Sequence, residues 1–145
     1  MATFSEIKTY LAAIANTLGN FHSVNVKEFA NLTQKTDAST ILFLLDAPII
    51  TSDNEFTDGG RVLRSYNLTF YILKHAKDEL TESEIDVIYS ECDNLATQFF
   101  WLINQGNTTI FNVDKMSTKR VKWITPNSFA GVTFTLSSVG TTCNL

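Results

Sequence analysis

Apolar residues recur at helical spacing almost from the start of the chain. Phe4, Ile7, Tyr10, Leu11, Ile14 and Leu18 trace one stripe and predict an amphipathic helix. Thr3 and Glu6 stand at capping-box spacing, in which each side chain satisfies an unpaired backbone N–H of the first turn. Gly19-Asn20 supplies the stop, where a left-handed residue is tolerated. Segment 21–39 alternates only briefly, at Val24 and Val26, and reads as a weak edge strand or an irregular connection.

The period then changes. Ile41–Leu45 is a continuous apolar run, the pattern of a strand buried on both faces. Pro48 cannot donate to a ladder, so the far end of that strand is expected at an edge or bulge. TSDNEFTDGGR, residues 51–61, is polar and ends in a glycine pair, which reads as a long hairpin loop. In RVLRSYNLTFYILKH, Tyr66, Leu68, Phe70 and Ile72 fall on one face of a strand, and Asn67, Thr69 and Tyr71 on the other.

A second capping box, Thr81 with Glu84, opens the longest pattern. Ile85, Ile88, Tyr89, Cys92, Leu95, Ala96, Phe99, Leu102 and Ile103 line one stripe up to Gly106. At 1.5 Å per residue this helix is roughly 34 Å long. TTIFNV, KRVKWIT and GVTFTLSS then alternate as strands, with Val132, Phe134 and Leu136 facing in. Turns are expected near 114–117 and at Pro126-Asn127. The order is helix, strands, long helix, strands. It predicts an α+β fold: a mostly antiparallel sheet with two helices packed on it.

Length and composition narrow the class. A chain of 145 residues with 44% apolar and 18% charged residues reads as one ordinary globular domain. Net charge is −4, which makes nonspecific nucleic-acid binding unexpected. No secretory signal or membrane-length apolar run is evident. Cys92 lies on an apolar helical face and is expected as a buried thiol rather than half of a disulfide with Cys143. The sequons at Asn31, Asn67 and Asn107 carry no weight without a secretory route. The expected location is a cytoplasm or a particle assembled there.

Candidate chemistry is sparse. His22 and His75 have no partner at zinc-ligand spacing, and no nucleophile elbow or phosphate loop occurs. Ser90-Glu91-Cys92 splits across two helical faces. Asp53, Glu55 and Asp58 lack calcium-loop spacing. No catalytic residue, metal or cofactor is therefore expected.

Charge layout is more informative. Seven acids fall between Asp78 and Asp93 without one base. Five of these, Glu82, Glu84, Asp86, Glu91 and Asp93, lie off the apolar stripe of the long helix. Acids near a helix N-terminus favour the macrodipole, so a solvated face and a protein-contacting face both remain open. Lys115, Lys119, Arg120 and Lys122 cluster beside Trp123. They suit an edge strand guarded against aggregation, and only weakly a nucleic-acid contact. If the acidic and basic patches lie on different sides, one copy can meet the next head to tail, in a ring or filament.

The layout resembles the tail-terminator and neck (head–tail joining) proteins of tailed bacteriophages and related contractile-tail particles. The features that carry this are the capped first helix opening TFSEIKTYLAAI, the proline-bearing strand ILFLLDAPII and the acidic loop. The long strand VLRSYNLTFYILKH, the long helix and the closing GVTFTLSS complete the likeness. It covers residues 3 to about 138 as order and length of elements, without a residue motif. It implies a non-enzymatic virion protein that forms a ring, a hexamer or dodecamer, and contacts other tail or neck proteins. Asp53, Glu55 and Asp58 would then sit on a loop that touches the tube or a partner. A different reading is a small cytoplasmic ligand-binding domain or cryptic enzyme, with Phe99, Phe100 and Trp101 lining a pocket.

Overall fold

A computed structural model describes residues 3–24, 40–46, 51–57, 59–76, 80–106, 111–123, 129–138 and 141–143. Helix α1 spans Phe4–Leu18, followed by strands β1 (Asn20–Val24), β2 (Ile41–Asp46), β3 (Thr51–Phe56) and β4 (Val62–His75). Helix α2 (Glu82–Gln105) precedes β5 (Thr118–Trp123), β6 (Phe129–Ser137) and β7 (Thr141–Cys143). The seven strands form one sheet with the main order β1-β2-β4-β6-β5, and every pairing but β1 with β2 is antiparallel. The fold is therefore α+β, with two helices on a mostly antiparallel sheet.

Both helices begin as their caps dictate. Thr81 Oγ1 accepts from the Glu84 backbone N–H, and the Glu84 carboxylate accepts from the Thr81 N–H, completing the box. At α1 only half the motif forms, the Glu6 N–H donating to Thr3 Oγ1. Neither terminal glycine is left-handed: Gly19 has φ −173° and Gly106 φ −86°. Crowding explains them instead. A Cβ at Gly19 would sit 2.9 Å from the Ile41 carbonyl oxygen, and one at Gly106 would strike the Tyr10 hydroxyl. That hydroxyl donates to the Ile103 carbonyl at 2.8 Å and ties the two helices together.

The core lies between the helices and one sheet face. Ile7, Leu11 and Ala15 of α1 join Ile88, Cys92, Ala96, Phe99 and Ile103 of α2 over Phe43, Leu45, Leu68, Phe70, Ile72, Val132, Phe134 and Leu136. Phe70 and Phe134 stack with centroids 5.7 Å apart, and Phe99 meets Phe70 at 5.4 Å. The opposite sheet face carries a smaller cluster of Leu42, Leu44, Leu73 and Phe129. Burial of β2 on both faces is thus as its unbroken apolar run predicts.

Two expectations are corrected and one is refined. Residues 51–56 form strand β3, not a loop, because the first half of β4 offers a free backbone edge. All six of its residues are exposed, so no apolar alternation marked it. Residues 20–24 are indeed an edge strand, but β1 runs parallel to β2. Within TTIFNV, Phe111 and Val113 are buried without being in a strand, and the Val113 N–H donates to the Asn104 side chain rather than to a ladder. The remainder of 21–39 beyond Val24, Pro48 and the 126–127 turn lie outside the described residues.

Candidate assembly surface

The surface has three parts: a hairpin arm, the charged flanks of α2, and the outward ridge of α2. The arm grows from β4, a 14-residue strand about 46 Å long at 3.3 Å per residue. Its second half, Asn67–His75, pairs with β6, and Phe70–Lys74 pair with β2. Its first half pairs with β3 on one edge and β7 on the other. Leu45 faces Phe70 and Thr51 faces Asn67, so six steps on that side span only three on β4. The β2–β3 side therefore loses register where the arm leaves the body.

The arm's turn is closed by the Thr57 N–H donating to the Arg61 carbonyl at 2.8 Å, with Gly60 at φ 75°. Pleat alternation puts Phe56, Asn54, Val62 and Arg64 on the helix-side face with Tyr66. Arg64 Nε donates to Asn54 Oδ1 at 2.9 Å. Asp53 and Glu55 occupy the other face, where Asn67 Nδ2 donates to Asp53 at 2.7 Å. Phe56 is 76% exposed. Asp58 lies outside the described residues.

On α2 the acids do not form one open face. Asp86 receives Arg120 Nη1 at 3.3 Å, and that guanidinium lies 5.0 Å from the centre of the Tyr89 ring. Asp93 accepts from Thr118 Oγ1 at 2.6 Å, and Glu91 meets Lys74 Nζ at 3.0 Å. Glu84 is used by its cap. The acidic helix and the basic strand are thus neighbours within one chain, and the premise that they lie on different sides is corrected. The cause is topology: the crossover through α2 lands β5 at the sheet edge next to the helix's acidic flank. Glu82, Lys115, Lys119 and Lys122 stay exposed and make no ion pair among the described residues. Trp123 closes β5, with its side chain outside the described set.

Between α2 and β5, Tyr89, Ser90, Asp93, Thr118, Arg120 and Val132 line a shallow cleft of about 160 Å³. Small-molecule pockets run to roughly 300–1,000 Å³, and both charged groups here already have partners. The three aromatics proposed as a pocket wall diverge. Phe99 is fully buried, Phe100 packs at the core margin, and Trp101 is 59% exposed. Consecutive helical residues point about 100° apart, so they cannot share a wall. Cys92 is a buried free thiol, and burial first, then the Glu91 charge, pushes it up to about 12.

Three features escaped sequence reading: the partner of Glu91, the exposed Phe56, and the outward pair Val87 and Trp101. The last had a signal, because both are large apolar residues that fall off the helix's apolar stripe. Among the described residues no three His, Cys, Asp or Glu side chains gather as a metal site. No described helix is long and apolar enough to cross a membrane. No family model matches the chain, and no curated protein matches it.

Proposed function

We propose that this chain is a non-enzymatic virion structural protein that assembles into a ring at the tail end or neck of a tailed phage. The hairpin arm carries this reading. All six residues of β3 are exposed, yet they are held as strand and end in an exposed phenylalanine. A two-stranded ribbon in water is marginal by itself. Here β7 adds a third strand, but the helices leave Phe56 uncovered. An apolar tip on a stiff polar stalk is the form of an element that docks on a neighbour. With the arm of one copy lying on the next, the contact is head to tail and closes as a ring of six or twelve.

Charge pairing between the α2 acids and β5 no longer supplies the contact, since Asp86 already pairs with Arg120 and Asp93 accepts from Thr118 within the chain. The exposed Lys119 and Lys122 are left to steer encounter with tail or neck partners. Light scattering over a range of concentrations tests the reading. A ring-sized species that disappears in Phe56→Ser, with the fold intact by circular dichroism, is expected. An oligomer of unchanged mass in Phe56→Ser sinks the arm contact, and a strict monomer with or without tail proteins sinks the ring.

A further inference from the structure

The side of α2 that faces away from the core bears no charge. Ser83, Val87, Asn94, Gln98, Trp101 and Gln105 are all exposed and lie within about 40° of one another's mean direction at 100° per residue. Val87 is 66% and Trp101 59% exposed, and with Phe56 they are the large exposed apolar side chains of the described residues. The acids flank this ridge. The nearest, Glu91, is turned roughly 60° from Asn94 and held by Lys74.

The ridge's large apolar and terminal polar positions are also spaced symmetrically about Asn94. Asn94 stands seven residues from both Val87 and Trp101 and eleven from both Ser83 and Gln105. From this we infer that α2 is a two-fold interface, on which a second copy of the same chain lays its own α2 antiparallel, with the axis at Asn94. Val87 of each copy then meets Trp101 of the other, and Ser83 meets Gln105. The two Asn94 amides face each other, each able to donate and accept.

Charge selects this arrangement over a parallel one. All the acids of α2 lie between Glu82 and Asp93, and Asn94–Gln105 contains no ionisable residue. Antiparallel pairing sets each acidic half against the partner's neutral half, whereas a parallel pair would align the two acidic halves. Contact area sets the strength. A ridge about 36 Å long and 10 Å wide offers roughly 360 Å² per copy, under half of the roughly 800 Å² per partner of a standard stable interface. The pair is therefore weak and concentration dependent. It is isologous, stands apart from the head-to-tail arm contact, and is able to join two rings back to back.

Disulfide trapping in the full chain with Cys143→Ser tests it. Helices 8–10 Å apart bring facing Cα atoms at the axis to roughly 4–5 Å, within disulfide reach. Asn94→Cys is expected to give a covalent dimer as the main species under mild oxidation. Ser83→Cys alone is expected to stay monomeric, because its two copies are about 33 Å apart. A mixture of Ser83→Cys and Gln105→Cys chains is expected to cross-link. Adding Trp101→Asp to Asn94→Cys should remove most of the dimer while leaving any Phe56-dependent ring unaltered. Asn94→Cys remaining monomeric, or cross-linking no better than Ser83→Cys, overturns the two-fold and assigns the ridge to another occupant.

Discussion

The two halves of β4 share one backbone and one alternation but meet different surroundings. From Leu68 to Leu73 four residues are fully buried, clamped between β2 and β6 under the aromatic cluster of Phe70, Phe99 and Phe134. From Val62 to Asn67 none is buried, although the strand is paired on both edges there too. Backbone pairing therefore holds strand geometry in both halves, while the strand's fully buried core residues all come from the covered half. A strand half that is ordered but, beyond Tyr66 against Phe4, adds little to the core is suited to contact elsewhere.

Substitutions can break that contrast, and the deepest should act most. Phe99→Ala empties the centre of the aromatic cluster and is expected to cost about 3–5 kcal/mol in urea unfolding. A loss under about 1 kcal/mol would show that the covered half is not the stabilising one. Next comes Gly131→Ala on β6, opposite Leu73. A Cβ there would overlap the Ile72 carbonyl, and backbone cannot swing aside as a side chain can. Overpacking of this kind costs about 1–3 kcal/mol, read by the same unfolding curve.

Asp46 sharpens the comparison through pH. It is buried at the end of β2, where the body gives way to the arm, and burial raises its carboxyl above the ordinary 3.8. A raised folded-state value favours the protonated form, so its contribution is fully present below about 3.8 and is lost as pH rises through the folded value. Asp46→Asn should therefore flatten the stability–pH curve just above 3.8 and leave the neutral-pH protein no less stable. An unchanged slope there would mean that the carboxyl titrates alike in both states.

The arm should respond least in stability and most in assembly. Phe56→Ser is expected to shift unfolding by no more than about 0.5 kcal/mol, as exposed positions do, while oligomer mass falls. Of the same small order is Asp86→Asn, which removes a pair whose side chains are both more than half exposed. Such pairs contribute about 0–1 kcal/mol and fade with salt. A larger loss, persisting at high salt, would make the α2–β5 flank a stabilising joint rather than a solvated one.

The chain's local patterns determined much of this architecture. The stripes of α1 and α2, both N-terminal caps, the two-sided burial of β2 and the inward set Val132, Phe134 and Leu136 follow from periodicities of 3.6 and 2. Those periods record which side chains leave water. Tertiary structure alone decided the rest. Strand β3 exists because β4 presents an unpaired backbone edge, and backbone hydrogen bonding leaves no mark on side-chain order. Asp86, Glu91 and Asp93 found Arg120, Lys74 and Thr118 through chain crossings that no spacing along the sequence encodes. Sequence showed where the charges are and that one face of α2 carries none; folding chose which charges pair within the chain and turned that face outward.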